Sequence, residues 1–254
     1  MSESLMGKTI LITGASSGIG AALARAHARA GVTLLLWGRD EPRLDESAAQ
    51  CRALGAATFT QSFDLRDAAG FAARLTAADA ATPIDLAIFN AGLGGTIPQG
   101  AFAEAPQTAQ AIAEVNFVAP VTGASAIADA MARRGAGHIV LIGSISESFP
   151  LPMAPTYAAT KAGLKMFAEA LGIRMARYGV AVSLVSPGFI DTPMSRKVTE
   201  PKPFLMSADA AAVVIARKIA AGARTIVVPW QFRVLRGITG FLPRALLRWV
   251  MSRA

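Results

Sequence analysis

Short apolar runs alternate with longer alanine-rich stretches along most of this chain. The runs occupy residues 8–13 (KTILIT), 33–37 (TLLLW), 57–63 (ATFTQSF), 85–90 (DLAIFN), 138–142 (HIVLI), 181–185 (AVSLV) and 225–228 (TIVV). Most are apolar at successive positions, the pattern of strands covered on both faces. The stretches between them run about ten or more residues at helical spacing. Strand then helix, repeated, is the βαβ signature. It predicts an α/β fold, a doubly wound parallel sheet in a three-layer sandwich. No repeat, low-complexity stretch or linker interrupts the pattern before residue 229. One domain is expected over residues 1–229, followed by an amphipathic extension at 230–254.

Composition narrows the setting. A chain of 254 residues suits one large α/β domain or two small ones. Its single cysteine, Cys51, allows no internal disulfide and points to a reducing compartment, the cytoplasm. Cys51 sits among helix formers, where a half-buried helix residue is the expected role rather than a reactive thiol. His27 and His138 have no ligand-type neighbours at metal spacing, so no metal is expected. The first residues show no basic and apolar leader pattern, and no run reaches the ~18 continuous apolar residues of a membrane span. The net charge of +8 comes from residues 210–254, where Arg217, Lys218, Arg224, Arg233, Arg236, Arg244, Arg248 and Arg253 have no acidic counterpart. The rest of the chain is neutral, so no nucleic-acid-binding face is expected.

The chemistry begins at the first strand–helix junction, Thr13-Gly14-Ala15-Ser16-Ser17-Gly18-Ile19-Gly20. Glycines let backbone amides approach a pyrophosphate, and the following helix offers unpaired N–H groups and a positive dipole end. The spacing G-x-x-x-G-x-G would be weak alone; its place at the first βα junction gives it weight. The second strand ends in Gly38-Arg39-Asp40. An acidic residue at that edge accepts ribose hydroxyls and repels a 2′-phosphate, whereas a guanidinium pairs with phosphate. NADP is therefore favoured over NAD. Arg39 stacked on the adenine or facing solvent, and Asp40 as the ribose acceptor, stay open as alternatives.

Ser144 follows the fifth run, and Tyr157-Ala158-Ala159-Thr160-Lys161 comes thirteen residues later. Tyrosine and lysine at i and i+4 share a helix face. An ammonium about 4 Å from a phenol would favour the phenolate by ~4 kcal/mol at an effective dielectric of ~20. That would bring the phenol towards neutral pH, where general acid/base catalysis is efficient. Tyr157 would protonate a carbonyl oxygen that Ser144 holds by a hydrogen bond.

In order and spacing, 13–20 (TGASSGIG), Asn90-Ala91-Gly92, Asn116, Ser144, Tyr157 with Lys161, and 187–192 (PGFIDT) resemble the short-chain dehydrogenase/reductase family, across roughly residues 7–229. The resemblance implies a seven-stranded Rossmann-like sheet, hydride transfer with NAD(P) to or from a small carbonyl or alcohol, and a homodimer or homotetramer. It implies that Asn116 holds a water in a proton relay to Lys161, and that Lys161 also bonds the ribose. It implies that Asp64, beside Leu65, bonds the adenine amino group, and that Asn90, Ala91 and Gly92 pass beside the adenine ribose. Pro187 and Gly188 would open the substrate loop, with Ile190 and Thr192 against the nicotinamide carboxamide.

That loop carries Phe189, Met194, Phe204, Leu205 and Met206, and residues 149–153 (FPLPM) are likewise apolar. Such a lining suits a lipophilic or bulky carbonyl compound, or simply packs a lid. Glu147, the one nearby acid, is expected to be exposed. In residues 230–254, arginines fall on one side of a helical wheel and Val234, Leu235, Ile238, Phe241, Leu242, Leu246 and Trp249 on the other. Gly237, Gly240 and Pro243 predict two short helices. This segment either docks on its own domain or a partner subunit, or lies on a membrane surface as a peripheral anchor. Two other functions compete with catalysis by hydride transfer. A dinucleotide-sensing protein would not need Ser144, Tyr157 and Lys161, and an isomerase or epimerase would need a tightly retained cofactor, against which the compact length without a dedicated C-terminal substrate domain counts.

Overall fold

The sheet forms from the runs that are richest in branched and apolar side chains. A computed structural model describes residues 7–198 and 201–239. In chain order they form β1 (Thr9–Thr13), α1 (Gly18–His27), β2 (Thr33–Gly38), α2 (Glu41–Ala53), β3 (Ala57–Ser62), α3 (Ala68–Ala81), β4 (Leu86–Phe89), α4 (Pro106–Ala113), α5 (Ala119–Arg134), β5 (Gly137–Ile142), α6 (Pro155–Ala176), β6 (Val180–Pro187), β7 (Ile190–Asp191), β8 (Met206–Ser207), α7 (Ala208–Ala220), β9 (Thr225–Val228) and α8 (Gln231–Thr239). Seven strands make one sheet in the order β3-β2-β1-β4-β5-β6-β9. Every neighbouring pair in it is parallel. The direction of winding reverses between β1 and β4, so the carboxyl ends of these two strands flank the crevice where open α/β sheets bind ligands.

Successive residues of one strand feed two cores. Ile10, Ile12, Leu34 and Leu36 pack with residues of α1, α2 and α7 on one face. Leu11, Leu35, Ala87 and Phe89 pack with residues of α3, α5 and α6 on the other. The rings of Trp37 and Phe89 meet Phe71 edge-on at 5.8 and 6.2 Å. Burying a side chain of this size contributes ~1.5–3 kcal/mol, so the sheet is held from both faces. The expectation of burial on both faces fails at β3. That strand is the sheet edge and carries polar residues, and Phe59 on it is 62% exposed.

Helix ends follow local chemistry. Asp40 caps α2 by accepting from Arg43 N–H at 3.2 Å, and Asp67 caps α3 by accepting from Gly70 N–H at 2.8 Å. Helices α4 and α5 run on from each other through a π turn at residues 114–118. Pro120 explains it: four residues after Asn116, it has no N–H to give that residue's carbonyl. The combined helix, Pro106–Arg134, is long and apolar enough to cross a membrane by composition, but half of its most apolar window is buried in the fold. Both histidines are structural. His27 Nδ1 lies 2.8 Å from the Leu23 carbonyl and His138 Nε2 lies 2.8 Å from Ser183 Oγ, and burial lowers the pKa of both, of His138 to about 4. Cys51 is fully buried rather than half-buried.

Of the C-terminal segment, α8 and its approach lie within the described residues; the second helix predicted from Pro243 lies outside them. Helix α8 docks on its own domain. Its anchor is Phe232, 4% exposed, which the wheel left unassigned, whereas Val234 and Leu235 of the predicted apolar side stand 52% and 43% exposed.

Candidate active site

The glycine loop is shaped by contacts that a side chain would break. Gly14 and Gly18 hold φ of +67° and +55°, the left-handed region that glycine adopts at little cost. A Cβ on Gly20 would stand 2.1 Å from the Gly14 carbonyl oxygen. Ser17 sits at the N-cap of α1 in extended conformation without using its hydroxyl as a cap. The helix therefore turns its positive end and first-turn N–H groups towards the loop, which suits a pyrophosphate. Ile19 packs its side chain on the core, which fixes the loop's exit.

Asn90 braces this loop. Its Nδ2 donates to the carbonyls of Thr13 at 3.0 Å and Gly14 at 3.3 Å, and the Thr13 hydroxyl accepts from the N–H groups of Asn90 and Ala91 at 3.0 and 3.1 Å. The Asn90 side chain and the N–H groups of Asn90 and Ala91 are thus committed to holding the loop.

At the end of β2, Arg39 is exposed and the Asp40 carboxylate is engaged with Arg43, by the cap and by an ion pair at 3.5 Å. Arg43, which sequence reasoning passed over, lines one cleft with Ser16, Ser17, Gly18 and Arg25. The signal was present, since a first-turn residue of α2 points back towards the neighbouring loop. Asp64 is half-buried beside Leu65. The Arg66 guanidinium, with Nε 2.9 Å away, holds its carboxyl below the usual range.

The candidate catalytic group comes from three elements. Ser144 leaves β5 and caps a single 3₁₀ turn at residues 145–148, accepting from Ser146 N–H at 3.2 Å. Tyr157 and Lys161 rise from the start of α6. The Ser144 side chain stands by the Tyr157 hydroxyl and favours its ionised form. Lys161 is 4% exposed; its Nζ donates to the Ile142 carbonyl at 2.9 Å and lies 5.7 Å from the centre of the Tyr157 ring. Asn116 is fully buried, with Oδ1 accepting from Leu93 N–H at 2.7 Å and Nδ2 donating to the Leu93 carbonyl at 2.8 Å. Gly92 separates it from the lysine: a Cβ there would lie 3.3 Å from Asn116 Oδ1 and 3.9 Å from Lys161 Nζ.

The electrostatics correct one expectation. Tyr157 is not poised near neutral pH by its lysine. Burial pushes the phenol above its ordinary value, the Ser144 side chain opposes the rise, and the charge of Glu147 adds to it. Burial likewise lowers Lys161 to about 8, against the pull of Glu147. The phenol is thus held protonated, the form that gives a proton. Glu147 itself, expected in solvent, is 8% exposed, and its Oε1 accepts from Ser186 Oγ at 2.8 Å.

The segment after β6 packs against the glycine loop and the β4 side. Pro187 ends β6, and Gly188 donates its N–H to the Val228 carbonyl at 2.7 Å. A Cβ on Gly188 would meet the Phe232 ring at 2.4 Å, and that ring also stacks edge-on with Phe204 at 5.7 Å. Ile190 is buried in the core, so its backbone is what can meet a cofactor. The Thr192 hydroxyl accepts from Ser195 N–H at 3.1 Å, while its methyl packs over Gly18 of the glycine loop. Met194 comes within 3.1 Å of a Cβ position on Gly94, so the loop reaches across to the β4 side.

A doubly wound sheet with a glycine cradle at its switch point and a serine–tyrosine–lysine group beside it defines a dinucleotide-dependent oxidoreductase. The family profile described as short chain dehydrogenase matches residues 8–203. An uncharacterized oxidoreductase of Myxococcus xanthus is 32% identical over 240 residues, 94% of this chain and 94% of its own. Two solved structures share the architecture. One is a short-chain dehydrogenase from Sphingobium yanoikuyae in complex with NADPH, with TM-score 0.80 and 28% identity, covering 94% of this chain and 97% of that one. The other is the bulky-bulky ketone specific alcohol dehydrogenase from Comamonas testosteroni, with TM-score 0.76 and 29% identity, covering 94% and 96%. The chain belongs to the short-chain dehydrogenase/reductase family and is an oxidoreductase that uses a nicotinamide dinucleotide.

Proposed function

We propose that the enzyme uses NADPH to reduce bulky, lipophilic ketones to secondary alcohols. The observation that carries this reading is the Ser144–Tyr157–Lys161 group, with its phenol held above its ordinary pKa by burial. When bound, the cofactor supplies the hydride. Tyr157 gives its proton to the carbonyl oxygen and Ser144 holds that oxygen as charge develops. Lys161 is kept by the Ile142 carbonyl where it can reach both the phenol and a ribose. Asn116, locked on Leu93, fixes the wall beside it and holds the relay water.

For the cofactor, Asp40 is already occupied as a helix cap, which weakens it as a ribose acceptor. Arg39 leaves an exposed guanidinium for a 2′-phosphate, and Arg43, though paired with Asp40, lines the cleft beside the glycine loop. Asp64 and Leu65 take the adenine, and the backbone at Ile190 with Thr192 the carboxamide. Exposed Phe204, Leu205 and Met153 support a large apolar substrate. So does the likeness to an alcohol dehydrogenase specific for bulky-bulky ketones. A panel of bulky ketones, read by loss of NADPH or NADH absorbance, tests the reading. Turnover is expected with NADPH first. Arg39→Asp is expected to lower the NADPH/NADH ratio of kcat/KM by about 10- to 100-fold, the size of one charge-assisted contact. An unmoved ratio would sink the phosphate assignment, and a silent panel the reductase assignment.

The same reading places the enzyme in the cytoplasm, where Cys51 stays reduced, as a homodimer or homotetramer. Exposed Met166 and Ile173 on the outer side of α6 support self-association, and light scattering reads it. The basic and apolar stretch that follows Thr239 in the sequence supports contact with an anionic membrane surface. The full chain is expected to sediment with anionic vesicles and a chain ending at Thr239 to stay in solution. Equal behaviour of the two ends the membrane proposal.

A further inference from the structure

Glu147 is a carboxylate in the wall of the catalytic site, and the family chemistry has no task for it. It lies on the 3₁₀ turn that Ser144 caps, is 8% exposed, and accepts from Ser186 Oγ at 2.8 Å at the end of β6. Its other oxygen packs against Gly143, where a Cβ would come within 2.7 Å. Gly143 is flanked by Ile142, whose carbonyl takes the Lys161 ammonium, and by Ser144, whose side chain stands by the Tyr157 hydroxyl. A carboxylate with two proton-active groups around one strand end is costly unless each charge answers another.

We propose that Glu147 is a positioning residue that biases the enzyme towards reduction, by holding Lys161 charged and Tyr157 in its proton-donating form. The inference rests on Tyr157 being the proton donor. The sign is set by charge alone. A negative group opposes ionisation of a phenol and favours that of an amine, so it adds to the rise that burial gives Tyr157 and offsets part of the fall that burial gives Lys161. Other ionisable groups around the turn are few among the described side chains. From α6 they are Tyr157 and Lys161 themselves, β6 contributes none, and Arg233 of α8 is exposed. Around the start of α6, Glu104 accepts from the N–H and hydroxyl of Thr156, and half-buried Glu114 accepts from Gln110.

Glu147→Gln keeps the volume and the Ser186 hydrogen bond and removes the charge. The readouts are the alkaline limb of ketone reduction and, in a Tyr178→Phe background that leaves one tyrosine, the tyrosinate absorbance titration of the whole protein. Both midpoints are expected to fall by roughly half a pH unit or more, the scale of one charge nearby at an effective dielectric of ~20. Glu147→Asp, which keeps a charge, is expected to restore the original limb. Should the glutamine variant fail to fold, Glu147→Met removes the charge with an apolar side chain of similar size, and the same shift is expected. Midpoints that coincide with the parent's would overturn the proposal even if turnover is normal. Failure of the reductase reading looks different: no turnover in the parent, with the absorbance titration still deciding the role of Glu147.

Discussion

Replacing Tyr157 by phenylalanine is expected to lower turnover by about 10²- to 10⁴-fold, the usual worth of a positioned proton donor. The substitution removes one oxygen. Lys161 is held by the Ile142 carbonyl rather than by the phenol, so the ammonium stays in place. The glycine loop lies on other elements, and dinucleotide affinity should change by no more than about twofold. Single-turnover measurement of hydride transfer, with calorimetric titration of the cofactor, separates the two effects. Residual turnover within tenfold of the parent would remove Tyr157 from the acid role. Because burial and Glu147 hold the phenol above its ordinary value, the parent's reduction rate should be flat through neutral pH. It should fall only in the alkaline range, as the donor loses its proton.

The second large effect concerns no reactive group. Gly20→Ala puts a Cβ where the Gly14 carbonyl oxygen is 2.1 Å away and Asn90 Nδ2 is 2.5 Å away. Neither neighbour can yield cheaply. One is backbone, and the other is tied to the Thr13 and Gly14 carbonyls. The first turn of α1 must therefore move off the loop. Overpacking of this kind costs ~1–3 kcal/mol or more, which corresponds to about a 10- to 100-fold loss of cofactor affinity if the strain falls on the cradle. Thermal melting and cofactor titration on the same sample check it. Unchanged affinity would show that the loop adapts and that its shape does not set binding.

The fold was legible because burial on two faces leaves a plain mark. The runs at residues 8–13, 33–37, 85–90, 138–142, 181–185 and 225–228 are mainly apolar, and all but the last, which forms the edge strand β9, lie in the sheet interior. The run at 57–63 is the instructive exception. Its polar positions recorded an edge, which the strand assignment alone passed over. The site was legible as far as it is local. Tyr157 and Lys161 are one helical turn apart, and the glycine loop is contiguous. What depends on distant partners was not. Ile142, 19 residues before Lys161, decides where the ammonium goes, and Ser186, 39 residues beyond Glu147, lets a carboxylate sit inside. Asn116 stood out only through the family resemblance, since nothing local in the sequence tells of the π turn or of Leu93, which gives its side chain a fixed place. A helical wheel of the C-terminal segment ranked Val234 and Leu235 above Phe232, because it holds no information about where the domain lies.

The seat of Phe232 on Gly188 has a wider meaning for how such an enzyme can change. The residue that opens the substrate loop accepts no side chain because a ring from the C-terminal segment fills that volume, and the same ring steadies Phe204 in the loop's far limb. Loop and segment are therefore a single inherited unit. Grafting a relative's loop without its matching terminal helix would leave a hole or a collision, and drift at the terminus would be felt first as altered substrate choice.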